Sequence, residues 1–277
     1  MFVAAATALG AGQNEGVEVG AVLARVARAV ERYYERAQSV ICLETVRLQP
    51  LGRDLVGDGT LPRRLSYELR VGWEPPAGGA RLEATVLRQL LTVNGRPPKR
   101  KDEPGCMDPK AVSPEPLAML LALGQRDYVF TSAGRRRVRG RPAVALDYKS
   151  RTVGPATVTW KEECFSIDLP GRVHGRVWID PETGDVLRLD ERLSGTFDYT
   201  LPRERQRPWS PTSITVERHE SSIVYRPVTF RDPEETLMLP ASIDTLSVVR
   251  NAGVPRLRTS QVFSNYQRFT TTGRVVQ

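Results

Sequence analysis

The sequence predicts a mainly β protein with a few helices: a large curved antiparallel sheet, a half-open β-barrel, with helices packed against it. Three observations carry this expectation. Most of the chain beyond residue 40 alternates apolar and polar residues with a period of two, the spacing of a half-buried strand. Turn-forming clusters of Gly, Pro, Asn and Asp separate these runs. Strands do not alternate regularly with helices, which argues against a parallel α/β sheet.

The long helix comes first. Over residues 17–39, Val19, Val22, Leu23, Val26, Val30, Tyr33, Tyr34 and Ala37 recur at three- and four-residue steps, while Arg25, Arg28, Arg32, Glu35 and Arg36 fill much of the rest. One face is therefore apolar and is expected to dock on the protein's own sheet. From Val40 the period changes, and strands are expected over 40–48, 65–71 and 82–93. The third run has a helix-compatible composition, but Asn94-Gly95 after it supplies a hairpin-turn signal. Residues 96–116 hold the cluster Lys99-Arg100-Lys101 and repeated prolines, and read as a long surface excursion. A short apolar helix is expected over 116–125, with Ser113 as cap and Gly124 as stop.

Further strands are expected over 127–132, 142–149, 173–180, 186–193, 213–217, 222–230, 243–250 and 257–269. The run Arg135-Arg136-Arg137-Val138-Arg139-Gly140-Arg141 lies between two of them and reads as a charged hairpin loop. The total is about eleven strands and two helices, expected to follow one another as a meander. No segment repeats, so the chain is expected to form a single domain over residues 16–277 that begins with the amphipathic helix.

Composition narrows the function classes. The chain has 277 residues, 40% hydrophobic and 26% charged, enough to bury a sizeable core and far from a disordered composition. No apolar run reaches the roughly 18–20 residues of a membrane-spanning helix. The net charge is +8, but the arginines are scattered and lysine stands only at Lys99, Lys101, Lys110, Lys149 and Lys161. A nucleic-acid partner has no support beyond this charge: zinc-finger, RNA-stacking and helix-turn-helix signatures are missing. The first dozen residues are small and apolar, and residues 1–15 read as a residual secretory signal segment. The expected location is therefore the periplasm or the exterior of a bacterial cell.

The three cysteines fit export. Cys106 and Cys164 occupy loop or strand-end positions and are the expected disulfide pair; Cys42, in an apolar run, reads as a buried thiol. No Cys-x-x-Cys occurs, and His174 and His219 are the only histidines, so no metal or other cofactor is expected. Nucleophile-elbow, phosphate-loop and His-Glu-x-x-His motifs are missing, and a non-catalytic protein is expected.

The strongest local pattern is Val173–Asp180, then Pro181-Glu182-Thr183-Gly184, then Val186–Leu193. Pro fixes φ early in the turn and Gly takes positive φ late. On the first strand, Val173, Gly175, Val177 and Ile179 share one face, and His174, Arg176 and Trp178 share the other. An amphipathic ring beside cations suits the rim of a lipid site, and equally a cross-strand Arg–Trp contact without a ligand. Trp178, Arg176 and His174 are therefore candidate ligand-binding residues, with Trp73, Trp160 and Phe165 as aromatics able to line an apolar cavity.

The run Gly175-Arg-Val-Trp178-Ile-Asp180-Pro-Glu-Thr-Gly184-Asp-Val-Leu-Arg188 resembles the strand–turn–strand of periplasmic lipoprotein-carrier proteins, the outer-membrane lipoprotein-sorting proteins. Tyr128–Ser132 and Gly140–Leu146 are similar to the strands before it there, and in the related anti-sigma-factor regulators. Phe263-Ser-Asn-Tyr266-Gln-Arg-Phe269 is similar to the end of a group of uncharacterised exported proteins. The resemblance covers residues 125–200. It implies a curved sheet whose hollow, closed by helices, binds the acyl chains of a lipid or lipoprotein. The alternative is a structural or sensory envelope module whose partner is another envelope protein; a hydrolase is a third, weaker reading.

Overall fold

The structure is a computed structural model. It describes residues 18–37, 40–74, 83–99, 102, 106, 115–161, 164–206, 208–209, 211–231 and 234–268; the side chains of 71–74, 83–85, 115 and 116 lie outside that description. The expected signal segment therefore falls outside the described residues, as does Ser113.

Helix α1 spans Val19–Arg36. It is followed by β1 (Val40–Pro50), β2 (Arg63–Glu74), β3 (Glu83–Val93), β4 (Tyr128–Val138), β5 (Arg141–Ser150), β6 (Thr157–Lys161) and β7 (Cys164–Asp168). The chain continues through β8 (Val173–Ile179), β9 (Val186–Leu193), β10 (Phe197–Thr200), β11 (Ser213–Arg231), β12 (Glu234–Arg250) and β13 (Arg256–Arg268). The main sheet has 11 strands in the order β3-β2-β1-β13-β12-β11-β9-β8-β5-β4, with β10 pairing β11 off this path. Every pairing is antiparallel. β6 and β7 form a separate hairpin.

One continuous meander was the expectation; the sheet is instead two meanders joined where β1 pairs β13. That pairing covers one edge of each meander and leaves β3 and β4 as the outer strands of an open sheet. The connection between them carries a 3-10 turn at Glu115–Leu120 and another at Gly124–Asp127, not the expected α-helix. The Gln125 side-chain amide donates to the carbonyls of Leu120 and Leu23, so the segment folds back against α1. β4 runs through Arg135, Arg136 and Arg137 to Val138, and the turn is only Arg139-Gly140, both at positive φ. Long charged side chains are compatible with this position because β4 is an edge strand. The runs expected at 213–217 and 222–230 are one 19-residue strand, β11, with a register shift between Val216 and Arg218.

The core explains the curvature. α1 buries Val26, Ala27, Ala29, Val30 and Tyr34. Of these, Val26, Val30 and Tyr34, with Leu117, Met119 and Leu120, share one cluster with Leu69 of β2, Cys42 of β1, Phe263 of β13, Ile243 of β12, Ile223 of β11, Leu189 of β9, Val177 of β8 and Leu146 of β5. Strands lie about 4.8 Å apart, so β2 and β5 would be about 34 Å apart in a flat sheet. A helix about 10–12 Å wide closes such a face only if the sheet curls around it.

Two further contacts seat α1. Among the described residues, 225–231 of β11 and 234–240 of β12 pair only with each other and form a two-stranded arm beyond the sheet. Pro227 and Pro240 fit there because an arm has free outer edges. Phe230, Leu237 and Leu239 pack with Val40, Tyr33 and Tyr266, and Glu235 binds Arg268 (2.7 Å) and Arg36 (3.3 Å) at the helix C-terminus. At the other side, the β8–β9 turn docks on α1: Arg25 donates to the Pro181 carbonyl and Arg32 to that of Thr183 (3.5 Å).

Candidate binding site

The β8–β9 turn is built by Asp180. Its carboxylate accepts the backbone N–H groups of Glu182 (2.9 Å) and Thr183 (3.2 Å) and pairs with Arg141 (2.8 Å). Partial burial opposes ionisation, but these donors outweigh it and hold Asp180 below the usual carboxylate range. The turn thereby becomes a rigid wall against α1.

Between α1, this turn and the β11–β12 arm lies a pocket of about 200 Å³. Its apolar lining includes Ala29, Val30, Leu117, Tyr225, Leu237 and Met238. Arg32 and Arg36, on successive turns of α1, also line it, with Thr183 and Asp185 opposite. Burial pushes the phenols of Tyr33 and Tyr225 well above their ordinary range, so both stay neutral. The pocket thus offers apolar contacts with cations beside them, the chemistry of an anionic amphiphile.

The opposite face of the sheet holds a wider groove of about 1070 Å³. Strand register lays out this face of the sheet in rows, Ala145–Trp178–Arg188, then Asp147–Arg176–Asp190, then Lys149–His174–Arg192, of which the last two and Trp178 line the groove. Arg176 makes two bonds to Asp147 (2.6 and 3.0 Å) and Arg188 makes two to Asp190 (2.8 and 2.8 Å). The hydrogen bond to Asp147 raises the Arg176 pKa further. Trp178 lies between these guanidiniums, 4.9 Å from that of Arg188 and 5.9 Å from that of Arg176. His174 Nδ1 hydrogen-bonds Ser194 Oγ (3.0 Å). Both carboxylates are held by two charge-assisted bonds from an arginine.

The sequence candidates therefore fall in separate places. His174, Arg176 and Trp178 share the outer groove. Trp160 and Phe165 face each other across the β6–β7 hairpin, ring centroids 5.3 Å apart, with Arg205 4.8 Å from the Trp160 ring. Trp73 is on β2 opposite Ala84, and its side chain lies outside the described residues. A disulfide joins Cys106 to Cys164, and Cys42 is free and buried. Among the described residues no cluster of His, Cys, Asp and Glu is arranged to hold a metal, and no helix is long and apolar enough to cross a membrane.

The residues that sequence reasoning missed are those of the helix pocket. Arg32 and Arg36 carried a signal, their four-residue spacing on the polar face of α1. Tyr225, Leu237 and Met238 carried none, because only the fold brings the arm to the helix.

No protein-family profile matches the sequence, and no curated protein does. Solved structures do. A LolA-superfamily protein from Nitrosomonas europaea aligns over 90% of this chain and 94% of its own, at 7% identity and a TM-score of 0.37. An outer-membrane lipoprotein-sorting protein domain from Vibrio parahaemolyticus aligns over 90% and 93%, at 9% identity and a TM-score of 0.39. A DUF1329-family protein from Desulfovibrio piger aligns over 91% and 94%, at 10% identity and a TM-score of 0.40. The large, open antiparallel sheet stands on its own geometry.

Proposed function

We propose that this chain is an exported, non-catalytic binding protein that takes the acyl chain of an anionic lipid or lipoprotein between α1 and the sheet. The observation that supports this reading is the pocket beside Val30, Tyr225, Leu237 and Met238, with Arg32 and Arg36 in its wall. The apolar part receives the chain, and the guanidiniums receive the acidic headgroup.

At about 200 Å³ the pocket is smaller than the roughly 300–1,000 Å³ of typical small-ligand sites. A long chain therefore requires α1 to move away from the arm. On the turn side, the helix is tied by the arginine–carbonyl contacts of Arg25 and Arg32, which exchange readily with water. Its apolar face is held by packing that an acyl chain replaces in kind.

Titration of the protein with a fluorescent palmitate analogue tests this. The reading expects saturable binding that weakens by about tenfold or more in Arg32→Glu/Arg36→Glu and in the pocket-filling Ala29→Trp variant. Binding unaffected by both variants, with folding intact, places the ligand elsewhere and removes the proposal.

A further inference from the structure

The sheet ends at β4, and among the described residues no strand pairs with the outer edge of β4. Such an edge presents N–H and C=O groups able to template another strand. A register shift between Ser132 and Arg135, with Gly134 at φ 81°, divides β4 into two unlike halves. The first, Tyr128-Val-Phe-Thr-Ser132, is uncharged and rich in strand-forming residues. The second half and the turn after it present Arg135, Arg136, Arg137 and Arg139, all exposed.

Among the described residues, none of those arginines is in an ion pair. Arg136 and Arg137 donate only to nearby backbone carbonyls, those of Arg135 and Gly140. Edge charges commonly repel a second strand. Here they guard one half of the edge and leave the other uncovered.

The outer groove opens beside the uncovered half. Val129 and Thr131 form its β4 wall, Val129 is 43% exposed, and Lys149, His174 and Arg192 make one row of its floor. Tyr128 and Phe130 point to the other face and pack against the core. An added strand would therefore meet a basic groove on one face and aromatic rings on the other.

We infer that the β4 edge binds an extended acidic polypeptide as an additional strand. Its alternate carboxylates face the Lys149–His174–Arg192 row and, further along the same face, Arg136, and its intervening apolar side chains lie beside Tyr128 and Phe130. This surface is separate from the α1 pocket and does not depend on what the pocket holds.

The test is fluorescence anisotropy on the full chain at low ionic strength with three labelled probes. These are a peptide of alternating Glu and Val, its Lys-for-Glu counterpart, and the Glu–Val peptide N-methylated at every second residue. The inference expects saturable binding of the first, none of the second, and at least about tenfold weaker binding of the third, because N-methylation removes the backbone donors of one edge. The exposed variant Arg136→Glu, on the groove face and with an unchanged melting temperature, should weaken the Glu–Val peptide by a similar factor. Absence of Glu–Val binding overturns the inference. So does equal binding of the N-methylated or the Lys–Val peptide, since neither is compatible with charge-guided strand pairing.

Discussion

Gly184 packs directly on the backbone of Arg25: a Cβ at residue 184 would lie 2.9 Å from the Arg25 carbonyl oxygen, at a φ of 80°. The contact joins the hairpin that dominates the sequence pattern to the helix that closes the core. Only a residue without a side chain satisfies both the left-handed backbone and the close approach.

Gly184→Ala should therefore destabilise the protein by about 2 kcal/mol, the left-handed cost plus displacement of α1. Thermal melting should show Tm lower by about 4–8 °C. An unchanged Tm would mean that the turn does not seat the helix.

Glu44 is fully buried and accepts two 2.8 Å bonds from Arg88 and one of 2.8 Å from Gln261. The Arg88 guanidinium also stacks 3.8 Å from the Tyr67 ring centroid. Glu44→Ala strands a largely buried cation and should cost about 3–5 kcal/mol in urea melts. Replacing both partners, as Glu44→Leu/Arg88→Met, should cost clearly less than the single change. A single variant close to wild type would contradict the buried pair.

Carboxylates of opposite tendency give the pH dependence. The folded pKa of Asp180 is lowered, so its contribution is fully present above the unfolded pKa, near 3.9, and is lost as pH falls through the folded value. Glu191 is the reverse. Burial raises its pKa, and the hydrogen bond from Tyr148 only partly offsets this. It therefore costs stability at neutral pH, a cost that disappears once pH falls below the unfolded pKa. Melting between pH 3 and 7 should show Asp180→Asn losing stability mainly at the neutral end. Glu191→Gln should gain stability there and change little at the acid end.

Much of the fold was legible because its signals are local. The β8–β9 hairpin carries its own turn, and α1 carries its own period. The arginine-rich half of β4 was read as a loop because an edge strand need not alternate. The β11 half of the arm was expected within the strand over 222–230; the β12 half was hidden by Pro240, which fits there because that ribbon has free edges. β6, β7 and β10 are strands of 4 or 5 residues with little pattern to find. The outer groove was partly legible, since period two placed His174, Arg176 and Trp178 on one face. The helix pocket was not, because its walls come from residues between 29 and 36, from 117, from 183–186, and from 225 and 236–238, joined only by tertiary packing.

The cysteines give a chemical check. Burial, reinforced by neighbouring Glu44 and only partly opposed by Tyr266, pushes the Cys42 thiol up to about 12. Cys42 should resist thiol reagents in the native protein and react once it is unfolded. Unfolding without reductant should expose one reactive thiol, because Cys106 and Cys164 are bonded across a separation of 58 residues. Reduction should remove as much as about 4 kcal/mol of stability. Three reactive thiols before reduction would contradict the bridge.

The central claim is that an acyl chain occupies the space between α1 and the sheet. Native mass spectrometry with lipid extraction, on protein purified from the periplasm, addresses it most directly. The account predicts a co-purifying anionic acyl lipid, displaced in the Ala29→Trp variant. Protein that carries no acyl ligand, even after anionic lipid is supplied, would contradict it.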